Sequence, residues 1–442
     1  MKVGIVGGGL SGLSAAYDLL QAGHDVTIYE ASDHTGGLAA GFIDDNWDWY
    51  LEHFYHHLFQ SDSAILGLVD ELGIRDKVFF PTPRTSIWHQ GKIYPFSNPL
   101  DWFKFPGYNL WDFFRFGVVG AFLRYTKFWR ALEKETAVSW TRRWYGQKIH
   151  DLSWKPLLIG KFGDYYDQVN MAWLWARLHV RSFSLGYFEG GFQFFIDVLT
   201  TAVEARGGQI RLNAPVTAIR REGDKLALEV EGETAVFDQV LFTTSPALLD
   251  RLAPDLPPDY LGGLQKLNSM GAVVLVLALK QPLMADSSTY WLNLPAATPD
   301  KTQTDIPFLA LVEHTNYIDK SHYGGDHIIY CGDYVKPEHP YLHMSQSQIE
   351  DLFLAALPKV NPNFRRDWVR KSWLFRVPYA QPVPLVNHAQ NIPDIRTPLS
   401  GLYFASMSQV YPWDRGTNFA VEIGRRAAAT MLADHGTPTS GR

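Results

Sequence analysis

Three glycines near the start of the chain have the spacing that phosphate binding requires. Gly7, Gly9 and Gly12 form a G-x-G-x-x-G turn, with Leu10 and Ser11 between the last two. The first glycine permits a tight turn, the second lets the backbone approach a pyrophosphate, and the third lets a helix pack closely on a sheet. Free N–H groups and the positive dipole end of the following helix attract phosphate. The turn therefore predicts a dinucleotide-binding site.

The segments around this turn are those that the motif needs. Residues 2–6 have the pattern of a short buried strand, residues 10–22 carry apolar side chains at helical spacing before Gly23, and residues 26–29 predict a second strand. Glu30 ends that strand. Its carboxylate can accept hydrogen bonds from ribose hydroxyls and its charge disfavours a 2′-phosphate, so NADP is not expected here.

A second glycine pair, Gly36-Gly37, follows Glu30. The whole series resembles the FAD fingerprint of the flavin amine oxidase superfamily, which includes monoamine oxidases, protoporphyrinogen oxidase, phytoene-type desaturases and, more remotely, UDP-galactopyranose mutase. The resemblance implies an α/β fold, in which a Rossmann-type FAD-binding domain is joined to an α+β substrate domain and a helical, aromatic-rich subdomain. The FAD-binding domain would be assembled from residues 1–80, 186–246 and 395–442. Residues 81–100 and 247–394 would form the substrate domain, and residues 101–185 the helical subdomain.

The resemblance also implies cofactor contacts along the chain. The residue matching Val216 touches the adenine end through its backbone, and a final helix near Asn418 runs beneath the flavin ring. Two positions depart from the family pattern, since Leu38 replaces a basic residue and Ser406-Met407 replaces a glycine and an acidic residue. The FAD contacts implied are Gly7, Gly9, Leu10, Ser11, Gly12, Glu30, Ala31, Gly36, Gly37, Leu38, Val216, Ser406, Met407, Gly416, Thr417 and Asn418.

Other segments carry clear secondary-structure signals. Helices are expected at residues 64–72 and 188–207, and a hairpin at 86–94 around Gln90-Gly91. Strands are expected at residues 209–220, 226–238, 239–243 and 273–279, with a loose tail from residue 434.

A histidine-rich segment lies shortly after the glycine pair. It places His53, His56 and His57 where related flavoproteins reach the flavin and the substrate. Histidines beside a flavin can transfer protons or orient polar groups, so these three are candidate catalytic residues. A core or surface role is the alternative. A metal would need His53, His57 and a further carboxylate, and no third ligand is evident, so no metal is expected.

A second candidate segment, residues 411–416, precedes the final predicted helix. Tyr411 or Trp413 could form a wall for the flavin or the substrate. Arg415 could hold an anionic group or the FAD pyrophosphate, which makes Tyr411 and Arg415 candidate catalytic residues. The alternative is a simple ion pair between Asp414 and Arg415.

Composition excludes several classes of protein. The 442 residues carry 40 basic and 46 acidic side chains, and the net charge of −6 argues against nucleic-acid binding. The single cysteine, Cys331, rules out a disulfide framework and a cysteine zinc site. No apolar run is long enough to span a bilayer. Lys280 is expected at the surface, and the basic run of Arg365, Arg366, Arg370 and Lys371 is expected to be solvated.

Aromatic residues make up 14% of the chain and concentrate in residues 101–130, where basic residues are interleaved. This pattern fits peripheral contact with a membrane, a tunnel for a long apolar substrate, or a helical core.

These features favour an FAD-dependent oxidoreductase that oxidises or desaturates a largely apolar substrate by hydride transfer to flavin N5. No second G-x-G-x-x-G is present, so oxygen or a quinone is the expected electron acceptor. The expected location is the cytoplasm, either free or peripheral on the inner face of the membrane. The alternatives are a non-redox flavin isomerase of the UDP-galactopyranose mutase type and a flavin-free lipid-carrying protein.

Overall fold

The computed structural model describes residues 1–98, 101, 105–180, 184–284, 286 and 288–436. Within them the strands are β1 Lys2–Val6, β2 Asp25–Tyr29, β3 Gly41–Phe42, β4 Leu51–Glu52, β5 Val78–Phe79, β6 Arg84–His89, β7 Lys92–Pro95, β8 Tyr187–Phe188, β9 Gln209–Arg211, β10 Val216–Glu222, β11 Lys225–Val230, β12 Glu233–Phe237, β13 Gln239–Phe242, β14 Ser269–Leu279, β15 Thr289–Asn293, β16 Ala310–Glu313, β17 His327–Val335, β18 Val369–Pro382 and β19 Leu402–Phe404.

The α-helices in the same residues are α1 Leu10–Gln21, α2 Ser63–Glu71, α3 Leu110–Tyr125, α4 Trp129–Leu132, α5 Ala137–Tyr145, α6 Gln147–Ile149, α7 Lys155–Phe162, α8 Met171–His179, α9 Gly191–Ala205, α10 Pro246–Leu252, α11 Pro258–Leu264, α12 Gln346–Leu354, α13 Leu357–Val360 and α14 Thr417–Gly436. None of the described helices combines the length and the apolar character that a bilayer crossing requires.

A five-stranded parallel sheet is the centre of the dinucleotide-binding half. Its strand order is β19-β13-β1-β2-β9, and every neighbouring pair is parallel. The strands come from three separate parts of the chain, and α1, α9 and α14 pack together beside them. This arrangement confirms the Rossmann-type α/β fold, while the domain boundaries themselves remain predictions.

A three-stranded antiparallel sheet, β10-β11-β12, covers part of the parallel sheet. It corrects two expectations. The strand expected at residues 209–220 is two strands, because the chain turns at Asn213 (φ +52°) and passes from the parallel sheet to the antiparallel one. The strand expected at residues 226–238 is a hairpin, whose turn at Glu231 and Gly232 has positive φ at both residues.

A seven-stranded sheet of order β18-β14-β17-β16-β15-β6-β7 forms the second half. In β14, Val274 and Val276 face the core shared with the dinucleotide-binding half, whereas Val273 and Leu275 face a core under α12 and α13. Both faces are covered, which explains the continuous apolar run expected at residues 273–279. The expected hairpin at 86–94 is also present, because Gln90 and Gly91 take the positive φ that a two-residue hairpin turn needs.

The helical region, α3 to α8, has an aromatic core of its own. Trp140, Tyr145, Trp154, Phe162 and Trp173 are buried together in it. The same core includes residues of the seven-stranded sheet, so the helices pack directly against it. Trp102, Phe103 and the interleaved Lys104 of the aromatic segment lie outside the described residues.

Two further expectations need correction. Arg370 and Lys371 are not simply solvated, because both bind the buried Asp44 carboxylate and Arg370 also binds Asp326 at 2.6 Å. The tail does not begin at residue 434, since α14 continues to Gly436 and the Asp434 carboxylate binds Arg396 at 2.8 Å. Residues 437–442 lie outside the described residues. Lys280 is exposed, as expected, and donates to the Asp367 carbonyl.

Candidate active site

The glycine-rich turn is fixed by contacts that admit no side chains. Gly7 has φ +108°, and a Cβ there would lie 2.5 Å from Thr243 Oγ1. A Cβ at Gly12 would lie 2.0 Å from the Gly7 carbonyl oxygen. The first hydrogen bond of α1 runs from Leu13 N–H to Gly9 O at 3.0 Å. The amides of the first turn, Leu10, Ser11 and Gly12, therefore have no intrahelical acceptor and can serve a phosphate.

Glu30 lies beside this turn with most of its hydrogen-bonding capacity in use. Glu30 Oε2 accepts from Gly8 N–H at 2.7 Å, and Oε1 accepts from Ser32 N–H at 2.9 Å and from Ser32 Oγ at 2.8 Å. A carboxylate offers about four acceptor sites. One remains for a ribose hydroxyl, next to the exposed Ala31.

The second glycine pair faces the first turn. Gly36 N–H donates to Gly8 O at 2.9 Å, and Gly36 and Gly37 have φ of +112° and +59°. A Cβ at Gly37 would lie 3.3 Å from Gly9 Cα. The backbones thus approach closely, while Gly37 is exposed and Leu38 is half-buried.

The segment before Val216 runs alongside Glu30. Asn213 N–H donates to Ser32 O and Ala214 N–H donates to Glu30 O, each at 2.8 Å. These bonds hold the start of β10 next to the end of β2, where the adenosine end of a dinucleotide is expected. The backbone contact of Val216 with adenine remains a prediction.

The first turn of α14 meets the same region from the other side. A Cβ at Gly424 would lie 2.2 Å from Ser11 O, so α14 passes directly against the start of α1. Thr417 Oγ1 is buried without a hydrogen-bond partner, next to the exposed Gly416. The Asn418 Oδ1 accepts from two amides at the start of α2 at 2.9 and 3.1 Å, and the contact of Asn418 with FAD remains a prediction. That oxygen caps a helix and is not free for a cofactor.

The turn after β19 is held by side chains of the protein. Ser406 is buried, and its hydroxyl lies 3.0 Å from the Tyr379 hydroxyl, which also bonds Ser408 at 2.6 Å. Met407 lines a small cavity beside Arg415. The flavin contacts of Ser406 and Met407 remain predictions.

The three histidines have separate surroundings. His53 stacks on Phe375 with ring centres 4.2 Å apart, and the ring of His57 donates to or accepts from the Tyr290 hydroxyl at 2.6 Å. His56 lies deeper, bonded to the Phe54 carbonyl. Burial lowers the pKa of His53 and His56 to about 4 and that of His57 to about 3. All three are therefore neutral at pH 7. Across the described residues, no group of three His, Cys, Asp or Glu side chains is placed to hold a metal.

Glu52, next to the histidines, is a buried carboxyl, and no cation of the described residues pairs with it. Both of its oxygens accept from the Tyr187 hydroxyl, at 2.8 and 2.9 Å, and Oε1 accepts from Phe192 N–H at 2.8 Å. Burial raises its pKa to about 7, although these hydrogen bonds act in the opposite direction. Tyr330 donates to the Glu52 carbonyl at 2.8 Å, which ties this strand to the seven-stranded sheet.

Among the described residues, the side chains of Asp414 and Arg415 do not form the ion pair that was the alternative interpretation of this segment. The cation that binds the Asp414 carboxylate is Arg177, at 2.5 Å, and Trp173 Nε1 also donates to it at 3.1 Å. Burial raises the pKa of Asp414, but the charges of Arg177, Arg415 and Lys161 outweigh burial and leave the pKa at about 2.

Arg415 instead contacts Tyr334. Its guanidinium donates to the Tyr334 hydroxyl and lies 5.3 Å from the ring centre. Tyr55 packs nearby against Gly332, where a Cβ would lie 2.9 Å from the Tyr55 ring. Tyr55 and Arg415 are both half-buried and keep accessible surface, and Arg415 also lines a small cavity together with Met407 and Tyr411.

The chain matches a known protein family over most of its length. The family model described as "Flavin containing amine oxidoreductase" matches residues 10–432. The chain belongs to this family. The protein is similar to amine oxidase [flavin-containing] A of Sus scrofa, with 22% identity over 98% of this chain and 85% of that protein. Over 78 residues it is 42% identical to the 15-cis-phytoene desaturase of Synechococcus elongatus, a stretch that covers 18% of this chain and 16% of that protein.

A solved structure shows the same fold. The putative protoporphyrinogen oxidase from Exiguobacterium sp. 255-15 has a TM-score of 0.77, with 19% identity over 98% of this chain and 99% of that one. This flavin-containing amine oxidoreductase is therefore an FAD-dependent oxidoreductase. Its residues fit FAD, because the first amides of α1 have no intrahelical acceptor and, among the described residues, the buried Thr244 Oγ1 and Thr417 Oγ1 have no hydrogen-bond partner.

Several residues near the candidate site of this family member were not predicted from the sequence. Glu52 and Tyr55 lie in the same segment as the three histidines, so the histidine-rich pattern could have indicated them. Lys161, Arg177 and Tyr334 come from α7, α8 and β17, and no local pattern marks them. Tyr411, by contrast, was expected near the flavin, but its hydroxyl is bonded to Glu133 and Asn170 at 3.0 Å each.

Proposed function

We propose that this flavoprotein oxidises or desaturates a largely apolar substrate. FAD, when bound, would accept a hydride from a substrate C–H at flavin N5. The observation that carries the proposal is the group of aromatic rings around the half-buried Tyr55 and Arg415. Tyr55 packs edge-on against Trp291 with ring centres 4.8 Å apart, and Tyr334 lies on the Arg415 side. Flat apolar walls of this kind bind a flat or extended apolar molecule.

The charges of the site fit this substrate better than a cationic amine. His56 and His57 are neutral at pH 7, and Arg415 brings a positive charge to this group of rings. A protonated amine would be repelled by that charge. The role of His56 and His57 is then to present uncharged polar groups, with Tyr290 fixing the orientation of the His57 ring through the hydrogen bond at 2.6 Å.

The electron acceptor in this proposal is oxygen or a quinone. The sequence contains a single G-x-G-x-x-G motif, so a nicotinamide-binding domain is not part of the proposal. A quinone would also be consistent with work at a membrane surface, where apolar substrates and quinones are concentrated.

The outer face of α3 supports peripheral contact with a membrane. Leu110, Trp111, Phe114 and Tyr125 project from it and are 80%, 65%, 61% and 80% exposed, whereas Phe116 on the opposite face is buried. The exposed basic residues Lys127 and Arg130 follow directly. Large apolar side chains beside basic ones suit the interface of an anionic lipid bilayer. We therefore propose that this face docks on the inner face of the membrane.

The test of the catalytic proposal is spectroscopic. The purified protein should show flavin absorption bands that are released by denaturation, and a hydrophobic C–H donor should bleach them anaerobically while simple primary amines should not. A panel of porphyrinogens, polyenes and alkylamines makes this comparison. Bleaching by amines alone would overturn the proposal. A need for reduced flavin without net substrate oxidation would favour the isomerase alternative, and a colourless protein that FAD cannot reconstitute would favour the binding protein.

The membrane proposal has its own test. Sedimentation with phosphatidylglycerol vesicles should remove the protein from solution, and Trp111→Ser combined with Phe114→Ser should reduce binding by roughly tenfold or more. The matched control is Ile43→Ser combined with Leu212→Ser, which changes exposed apolar residues elsewhere. Equal loss of binding in both double variants would contradict docking through α3.

A further inference from the structure

Arg415 lacks the partner that a buried guanidinium normally has. Its side-chain hydrogen bond goes to a neutral hydroxyl, that of Tyr334, and its buried Nε has no hydrogen-bond partner among the described residues. Within the described residues, no carboxylate lies at ion-pair distance from its side chain, because the adjacent Asp414 pairs with Arg177. A buried arginine charge without a counter-ion is costly, so the structure offers a place for an anion.

Lys161 adds a second basic group beside the same Tyr334 ring. It projects from α7, and its Nζ lies 4.4 Å from the centre of the Tyr334 ring that Arg415 also contacts. Lys161, too, lies deep in the protein with part of its surface accessible, and the described residues supply it with no carboxylate partner. Burial lowers its pKa well below the usual value, and Arg177 and Arg415 lower it further.

The charge balance of this cluster is positive. Asp414 is the acidic group that acts on both Lys161 and Arg415. Its oxygens already accept from Arg177, from Trp173 at 3.1 Å and from Gln381 at 3.2 Å. With its carboxylate held by Arg177, Asp414 offsets one positive charge. An anion entering beside Arg415 and Lys161 would gain from the excess, and its charge would favour a protonated Lys161.

We propose that Arg415 and Lys161 bind the anionic group of an amphipathic substrate, a carboxylate or a phosphate at the end of an apolar body. This inference rests on the proposed function, because the apolar body would lie along the aromatic wall of Tyr55 and Trp291. Arginine binds both carboxylate and phosphate by paired N–H donors, and the second cation provides point charge. The substrate class is therefore an apolar acid rather than a neutral hydrocarbon or an amine.

The test measures binding to the FAD-loaded protein and needs no turnover. Calorimetric titration compares decyl phosphate, decanoate and 1-decanol, in a background of Trp111→Ser with Phe114→Ser to remove alkyl binding at α3. At least one anion should bind roughly 10–100-fold more tightly than decanol. Arg415→Gln and Lys161→Gln should each remove most of this preference and leave decanol affinity unchanged. Lys280→Gln is the matched control, an exposed lysine far from this cluster, and should change nothing.

The two anions distinguish the sources, since preference for decyl phosphate indicates a phosphate head and preference for decanoate a carboxylate. Equal binding of anions and decanol would overturn the inference, as would a preference that survives both substitutions. Loss of FAD in Arg415→Gln with the anion preference intact would assign Arg415 to the flavin instead. If Arg415→Gln does not fold, the anion preference is measured in Lys161→Gln and Tyr334→Phe instead. Failure of the proposed function would appear separately, as flavin that no apolar C–H donor reduces.

Discussion

The dinucleotide end and the substrate end of this molecule are built by different means. At the first, glycines make the site. Gly12 and Gly37 bring main chains to distances at which no Cβ fits without displacement, and a Cβ at Gly7 would meet the Thr243 side chain. At the second, side chains make the site, and Tyr55, Lys161 and Arg415 come from parts of the chain that are distant in sequence. The first end is sensitive to volume, and the second is sensitive to charge and hydrogen bonding.

The two ends also treat charge in opposite ways. Glu30 keeps its carboxylate among N–H donors, half-buried at the edge of the turn. Glu52 is enclosed by tyrosine rings and has no cation, so that its pKa rises to about 7. Arg415 has the converse imbalance, a half-buried cation whose side chain pairs with no carboxylate in the part of the chain that the structure describes. Unbalanced groups of this kind are typical of sites where substrate or proton completes the arrangement.

The largest effect is expected from one methyl group at the dinucleotide end. Gly12→Ala places a Cβ 2.0 Å from the Gly7 carbonyl oxygen, which is backbone and cannot yield without opening the turn. We expect a loss of about 3 kcal/mol or more in the free energy of unfolding, together with loss of FAD. Flavin absorbance per protein and thermal unfolding measure the two effects.

The matched control is Gly67→Ala in α2. This glycine is also helical, but a methyl group there would have no neighbouring atom within 4 Å. Alanine there should stabilise the protein by about 0.5–1 kcal/mol, because it lowers the backbone entropy of the unfolded chain. If both variants kept FAD and melted alike, the close approach at Gly12 would not be what shapes the dinucleotide end.

This contrast explains how much the sequence could predict. The glycine turn, Glu30 and the parallel strands follow from rules that act within about thirty residues, and the structure has them in place. The histidine segment was recognisable by residue type, but the partners of His53, His56 and His57 lie on other elements, such as Phe375 and Tyr290. Periodicity alone does not show which distant ring a side chain will meet.

Charged residues were the least predictable feature for the same reason. Arg370 and Lys371 are consecutive on β18, and a local interpretation expects two solvated charges. Asp44, which binds both, is more than three hundred residues away in the chain. Asp414 likewise pairs with Arg177 from α8 and not with its neighbour Arg415.

The second prediction concerns the pH dependence of stability, which the buried Glu52 should dominate. The pKa of Glu52 is about 7 in the fold and 4.5 in the unfolded chain, so the folded protein binds an extra proton between these values. Its contribution to stability is complete below pH 4.5 and is lost as the pH rises through 7. The difference between the two pKa values corresponds to a loss of up to about 3 kcal/mol in the free energy of unfolding. Denaturant unfolding of the wild type between pH 5 and 8 should show this decline, and Glu52→Gln should flatten it.

The control for that slope is Glu189→Gln, an exposed carboxylate that pairs with Lys77 at the surface. It should leave the pH dependence as it is in the wild type, because surface pairs contribute little. An unchanged slope in Glu52→Gln would mean that the carboxyl is ionised in the fold and that another group is responsible for the decline.

The smallest effect is expected at Tyr411, in the segment that precedes α14. The sequence favoured a catalytic or wall position, yet its hydroxyl donates to Glu133 and accepts from Asn170. Tyr411→Phe keeps the ring against Trp129 and removes these two hydrogen bonds. The cost should be about 1 kcal/mol in unfolding free energy, with anaerobic flavin reduction unchanged. A rate of flavin reduction that falls tenfold at an unchanged melting temperature would instead show that the Tyr411 hydroxyl acts on the substrate. The substrate end would then include residues 411–416.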